Sequence, residues 1–463
     1  MDDAAPSYAT SRGATSRGRF REALEIAFPI TAAQFMVMIG GFINNVMIAR
    51  VDSTTFAAGL LVNSIQLTLG MVVFGLLYSL SALIGTVIGE AKNPERVGQL
   101  FIAGAVVSLA LSIPSMAVLF WIEPLLRMLG QPAAMADLCA RYFRLYVWAV
   151  PAMGIVSVYV QFLLGTFKQA IVFLYSIGSM VVSIALGYVM IFGKLGLPAM
   201  GIEGLAGAAV VTAWLAAAVL TYFILGRPEH RQYALLAFKA RGLQSAIAST
   251  LRLGFPISVQ SGNEICSFLI TSIMVGWLGI EALSAQQVAT RYVMMLVIPV
   301  IGLSQAASMV VSRSFGAKNL AEVKQYGGFY ASMGVTYSLI VLAAFVLAPR
   351  IFIKVFLEDT PENAGLFETL PIILVWIAVG QVFDAIRNVV TGALRGLQDT
   401  KYPMNMAILA IWPIGIPLTY FMGFALHWGL VGITLARNVV MAIGCGVLLL
   451  RWRSKVAALG ASA

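Results

Sequence analysis

Two carboxyls, Glu264 and Asp384, stand deep inside long apolar runs of the chain, and they are the residues best placed to do chemistry. A charged side chain at the centre of a bilayer costs roughly 2.5–3.5 kcal/mol on insertion scales, so it faces a protein interior or a water-filled cavity rather than lipid. Desolvation favours a neutral acid and a nearby cation favours a carboxylate. A carboxyl balanced between the two can take up a proton or a metal cation on one side of a membrane and release it on the other. The alternative is a buried polar pair that only holds helices together. Three arginines share the apolar runs: Arg291, Arg387 and Arg437. Arg387 follows Asp384 by three residues, on one helix face, so a local ion pair is expected. Arg291 and Arg437 fall in the outer halves of their runs, where long side chains snorkel. Snorkelling is the reading preferred for Arg437. For Arg291 the choice stays open between snorkelling and a fixed positive charge in a cavity, which would favour an anionic or zwitterionic cargo.

The rest of the chain must hold these charges in hydrocarbon. Of 463 residues, 60% are hydrophobic and only 11% are charged. A soluble domain carries about a quarter charged residues, so a soluble protein is excluded. Cys139, Cys266 and Cys445 are scattered without metal-ligand spacing, and no disulfide framework or structural metal is expected. Residues 1–20 are polar and contain no short apolar stretch with a small-residue cleavage site, so the first hydrophobic segment is expected to be retained. With no phosphate loop or nucleophile motif, and with only His230 and His427 as histidines, an enzyme is not expected. Both histidines are read as solvated, one in a linker and one in a turn.

Runs of about 20 apolar residues place twelve spans near 24–49, 57–88, 99–122, 143–163, 170–193, 203–226, 252–277, 283–312, 326–348, 368–394, 402–425 and 429–450. The fold expected is all-α. An even number of spans puts both termini on one side. That side collects twenty lysines and arginines, among them Arg12, Lys92 and Lys239. The other has seven: Arg50, Arg127, Arg141, Arg144, Lys194, Arg350 and Lys354. The positive-inside rule then makes the termini cytoplasmic. This distribution, rather than a nucleic-acid partner, accounts for the net charge of +10.

The two halves resemble each other. Phe28-Pro29-Ile30-Thr31 matches Phe255-Pro256-Ile257-Ser258 at an offset of 227 residues. Gly89-Glu90-Ala91-Lys92-Asn93 after the second span matches Gly316-Ala317-Lys318-Asn319 after the eighth, and Gly201/Gly204 matches Gly429/Gly432 at the entries to the sixth and twelfth. Parallel repeats of six spans each are expected, related by an axis along the membrane normal. The division is an N-terminal tail (1–23), a first bundle (24–226), a basic linker (227–251), a second bundle (252–453) and a C-terminal tail (454–463). Pro29 and Pro256 are read as first-turn prolines, and Pro413 and Pro417 as a bend used in gating.

With these landmarks the chain resembles the multidrug and toxic compound extrusion (MATE) family, NorM-type branch, from about Phe20 to Arg453. The most specific pieces are Gly254-Phe255-Pro256 with Glu264 eight residues beyond the proline, and Asp384 with Arg395-Gly396 eleven residues on, in Gly392-Ala393-Leu394-Arg395-Gly396-Leu397-Gln398-Asp399-Thr400. The resemblance implies a V-shaped pair of six-helix bundles, cation binding at Glu264 and Asp384, and export of amphipathic, often cationic, compounds. Two positions depart from the family pattern. Asn44 stands fifteen residues after Pro29, where the family has an aspartate; an amide can coordinate a cation but carries no proton. Arg291 stands where the family has a neutral amide, just after Gln287-Val288-Ala289, and its charge competes with sodium.

The function expected is secondary active efflux of small organic molecules in exchange for H+ or Na+, with transient Na+ at Glu264 and Asp384 if sodium is the ion. No cofactor is expected. Arg291, Arg387, Gln287 and Asn44 are candidate cavity or ion-pair residues. The protein is expected to act as a monomer in the bilayer of a bacterial inner membrane. A flippase for a lipid-linked precursor is the alternative.

Overall fold

The computed structural model describes residues 16–91, 93–235, 240–356 and 364–461. Arg12, Lys92 and Lys239, counted in the charge balance above, lie outside them. The described residues are almost wholly helical. The first half contains α1 (Ser16–Ala49), α2 (Ser53–Val73), α3 (Ser79–Glu90), α4 (Glu95–Phe120), α5 (Ile122–Met128), α6 (Ala133–Tyr146), α7 (Ala149–Gly165), α8 (Gln169–Phe192) and α9 (Gly201–Gly226). The second contains α10 (Ala240–Gly276), α11 (Ile280–Gly316), α12 (Leu320–Leu347), α13 (Pro349–Phe356), α14 (Ala364–Gly396), α15 (Lys401–Leu409), α16 (Ile416–Tyr420) and α17 (Gly429–Ala461). No strand occurs among the described residues.

Among the described residues ten helical stretches are long and apolar enough to cross a membrane, and the α6–α7 pair, bent by 58°, makes an eleventh. The remaining expected span is α10. It is long enough at 37 residues, but its middle carries Gln260, Ser261, Asn263 and Glu264. The helix that supplies a candidate charge is thus the one whose apolar signal is diluted. Residues 57–88, read as one long span, lie in two α-helices joined by a 3₁₀ turn over Phe74–Tyr78. Exposed Ile113, Leu174, Val219, Ile340 and Leu450 cover outward faces of the helices with apolar surface, as lipid contact requires.

Proline placement differs from expectation in one respect. Pro29 and Pro256 are not first-turn residues, because α1 and α10 begin well before them and both prolines are interior. Helix extends on both sides because neighbouring helices shield the backbone that proline disturbs. In the eleventh span, Pro413 lies within a π-helical stretch, Ala410–Gly415, and a second π stretch occupies Phe421–Ala425. Wider turns accommodate the missing amide hydrogen bond and re-aim the segment.

The sequence repeat is also a structural one. Ala91 and Lys318, 227 residues apart, both adopt left-handed φ, at 51° and 56°. Gly201 and Gly429 both have φ of 54° at helix entries. A side chain at Gly204 would run into the backbone of Met190, and one at Gly432 into that of Met422. The short helices α5 and α13 are equally spaced counterparts.

The halves meet at the end that carries the termini. There α3 packs on α11, α1 on α11, and α10 on the Phe74–Tyr78 turn and α4. A single apolar core runs from the first half into Leu303, Ala306, Met309 and Val310 of α11, Tyr330 of α12 and Val389 of α14. A separate cluster, including Val275, Tyr292, Phe345, Leu374 and Ile433, belongs to the second half alone. Glycines permit the close crossings: a Cβ at Gly254 would strike the Leu76 carbonyl, and one at Gly302 would strike Thr31. Tyr326 on α12 donates to Glu22 on α1 at 2.9 Å, and Gln398 reaches Thr86 at 3.4 Å.

One linker residue departs from expectation. His230 is buried, not solvated, at 2% exposure. Its Nδ1 lies 2.7 Å from the Ile224 carbonyl and its Nε2 3.2 Å from Lys168 Nζ. Glu229 completes the cluster by pairing with Lys168. The linker folds back onto α4, where Gly98 leaves room for the Tyr233 carbonyl. Burial holds the His230 imidazole below its ordinary pKa, with Lys168 and Arg227 pushing the same way and the Ile224 carbonyl and Glu229 opposing. His427 is exposed, as expected.

Candidate functional site

Glu264 on α10 and Asp384 on α14 come together through one guanidinium. Arg387 Nη1 donates to Glu264 Oε1 at 2.8 Å, and Nη2 and Nε donate to Asp384 Oδ1 at 2.8 and 3.2 Å. The expected local pair between Asp384 and Arg387 is therefore present, and it extends across to a second helix. Asn388, one helical turn after Asp384, donates to Asp384 Oδ2 at 2.9 Å. Charge-assisted bonds of this kind are the strong ones, and they leave Asp384 with both oxygens engaged.

The two carboxyls differ in exposure. The Asp384 side chain is 9% exposed and Arg387 12%, whereas Glu264 is 39% exposed. Glu264 faces open space and Asp384 lies behind it. Gln260, one turn before Glu264, reaches Oε1 only at 3.4 Å. Asn263, beside Glu264, accepts from Trp412 Nε1 at 2.7 Å, tying α10 to the π-helical stretch of the eleventh span.

Behind the pair is a pocket between α11, α14 and α17, lined by Val293, Gln381, Asp384, Thr434, Arg437 and Asn438 among others. Arg437 is exposed there, within electrostatic reach of Asp384, Arg387 and Glu264. Its snorkelling assignment is thus corrected: α17 is turned so that this side chain lines the pocket with Asp384. The turn is set by close packing, since Asn438 donates to the Trp376 carbonyl at 2.7 Å and a side chain at Gly380 would collide with Asn438. Arg395, in the last turn of α14, is within reach of Glu264 and Tyr78, and its buried Nε has no hydrogen-bond partner among the described residues.

The other candidates lie elsewhere. Asn44 on α1 donates to Ser183 on α8 at 3.2 Å, inside the first half, and its Oδ1 is buried without a partner among the described residues. Gln287 and Arg291 are exposed on one face of α11, a turn apart. Sequence reasoning missed Asn388, Gln381 and Arg395 as parts of the site. The signal available for Asn388 was its position four residues after Asp384.

Residues 29–189 and 256–421 match the MatE family. The chain belongs to the MatE family. The matched segments begin at the two equivalent prolines, Pro29 and Pro256, so the family unit is the repeat itself. A probable multidrug resistance protein NorM from Burkholderia pseudomallei is 30% identical over 99% of this chain and 97% of its own length. Another, from Synechococcus, is 26% identical over 95% and 94%. Among solved structures, a MATE protein in a bent conformation superposes with a TM-score of 0.87 at 16% identity, covering 96% of each chain. A eukaryotic MATE transporter does so with 0.82 at 21%, covering 95% of this chain and 98% of that one. The fold is the two-lobed MATE architecture. As a MatE protein this chain is a multi-pass membrane transporter of the multidrug efflux family, not an enzyme.

Proposed function

We propose that the protein is a secondary active antiporter that exports small organic molecules in exchange for protons, with Glu264 and Asp384 as the coupling carboxyls. The observation that carries this reading is the bridge from Arg387 to both carboxylates across α10 and α14. A sodium ion at Glu264 or Asp384 has to compete with a guanidinium already held at 2.8 Å from each. A proton has no such competitor. Added to Glu264, it removes the charge that holds Arg387 Nη1 and releases α10 from α14. Uptake at this exposed carboxyl precedes transfer toward Asp384, and the freed helices change how the lobes meet. Cargo leaves on the side from which the proton came. Asn44 carries no proton, so coupling belongs to the second half.

The protein works in the plasma membrane of a bacterium as a monomer, with both termini and the 227–251 linker in the cytoplasm and the six-span bundles 24–226 and 252–453 as the moving bodies. It needs no cofactor beyond the coupling ion. The deciding experiment is transport by purified protein in proteoliposomes with a pH gradient and a sodium gradient imposed separately. Export driven by the pH gradient alone, and lost in Glu264→Gln and Asp384→Asn, is expected. Sodium-driven export without a pH gradient, or full export by both variants, overturns the assignment.

A further inference from the structure

The charges around the pocket do not balance. Two carboxylates, Glu264 and Asp384, face three arginines, Arg387, Arg395 and Arg437. Arg387 occupies both carboxylates, and Asn388 takes the remaining oxygen of Asp384. Among the described residues no carboxylate lies within ion-pair distance of Arg437, which lines the pocket near Asp384 but without a direct salt bridge. In the same lining is Gln381, 3% exposed, whose Nε2 is buried without a hydrogen-bond partner among the described residues. A buried donor left unmade costs about 1–3 kcal/mol, so one such donor in a lining shared with an unbridged guanidinium marks a place where an acceptor is missing. Among the described residues neither the Thr434 hydroxyl nor the Asn438 amide oxygen accepts from Gln381 Nε2. Thr434 hydroxyl donates to the Leu430 carbonyl at 2.9 Å, and Asn438 amide to the Trp376 carbonyl at 2.7 Å.

We infer that Arg437 and Gln381 form an anion-binding subsite that takes the carboxylate of the cargo. The inference rests on the antiport reading above, and the sign of coupling narrows the class further. Proton uptake at Glu264 makes the cleft more positive, which tightens the hold on a carboxylate. Exchange requires the opposite, so a cargo held by a carboxylate alone has the wrong sign. A cargo that also carries an amine against Glu264, whose Oε2 accepts no hydrogen bond among the described residues, loses that contact when the proton arrives. The subsite therefore fits a zwitterionic amphiphile, with the amine on Glu264 and the carboxylate on Arg437 and Gln381.

The test is equilibrium binding to the purified full-length protein without any gradient, at a pH low enough to keep both amines protonated, using Nε-dansyl-lysine, a fluorescent zwitterion, and its methyl ester, which lacks the carboxylate charge. Wild type is expected to bind the acid about tenfold or more tighter than the ester, as a charge-assisted bond implies. Arg437→Gln brings that ratio close to one, and Arg437→Lys retains most of it. Arg437 is exposed, so its replacement opens no core cavity. Equal affinities for acid and ester in wild type, no binding of either, or an unchanged ratio in Arg437→Gln overturns the subsite. Failure of antiport is separate: it is read as absence of gradient-driven flux while the acid-over-ester ratio persists.

Discussion

Gly89 on α3 lies against the backbone carbonyl of Arg313, and Gly316 on α11 lies against that of Thr86. Gly89 and Gly316 are 227 residues apart, and so are Thr86 and Arg313. The contact is reciprocal about the axis that relates the two halves, and it brings backbone against backbone between them at the terminal end. A methyl group at either glycine has to displace backbone, not a flexible side chain, and overpacking of this kind costs about 1–3 kcal/mol.

This crossing exists only while the halves are closed at that end. Gly89→Ala or Gly316→Ala is therefore expected to shift the population toward the conformation open at the terminal side, by about five- to hundredfold. The measurement is a spin-label distance distribution between the terminal ends of α3 and α11, which should broaden to longer distances in either variant. An unchanged distribution in both variants would show that the crossing is not a gate.

The imidazole of His230 yields a prediction about pH. Its Nδ1 donates to the Ile224 carbonyl while Nε2 accepts from Lys168, an arrangement that needs the neutral ring. Phe162 packs edge-on against it, and Arg227, Glu229 and Tyr233 complete its surroundings. The folded pKa is lowered, so the unfolded chain binds the proton more readily. Stability from this site is present above the unfolded value of about 6.5 and is lost as pH falls below it. Melting temperature in detergent should drop as pH falls below about 6.5 in wild type. In His230→Gln the drop should be shallower; an equally steep drop removes His230 as its source.

The spans, the repeat and the two membrane carboxyls were legible in the sequence because each has a local signature: apolar length, recurring glycines, and an acid where apolar residues surround it. Arg437 was misread because its position along α17 does not reveal which way the helix is turned. That rotation is decided by Asn438 and Gly380, contacts between helices distant in sequence. The burial of His230 was equally hidden, since a polar linker reads as solvated unless the groove at Gly98 that receives it is known. Arg395 lay within a quoted motif, but part of that motif is structural. Asp399 pairs with Arg451 at 2.9 Å at the terminal end of α17, and Gln398 takes the left-handed turn that ends α14. Motif resemblance alone does not separate such residues from the ones that face the cleft.

The bridge from Arg387 leads to the sharpest test of ion choice. Replacing Arg387 with Gln keeps a polar side chain, though a shorter and uncharged one, and leaves Glu264 and Asp384 without the guanidinium that holds them. Two adjacent carboxylates attract a cation strongly, and removing one partner of a buried ion pair typically costs about 3–5 kcal/mol unless another charge fills in. Sodium is the cation available to do so. Wild type should show no sodium-dependent rise in melting temperature beyond that caused by potassium at equal ionic strength. Arg387→Gln should melt lower in potassium and recover in sodium, and the further change Glu264→Gln should abolish that recovery. If sodium stabilises wild type as much as the variant, the guanidinium is not what excludes it, and protons lose their advantage as the coupling ion.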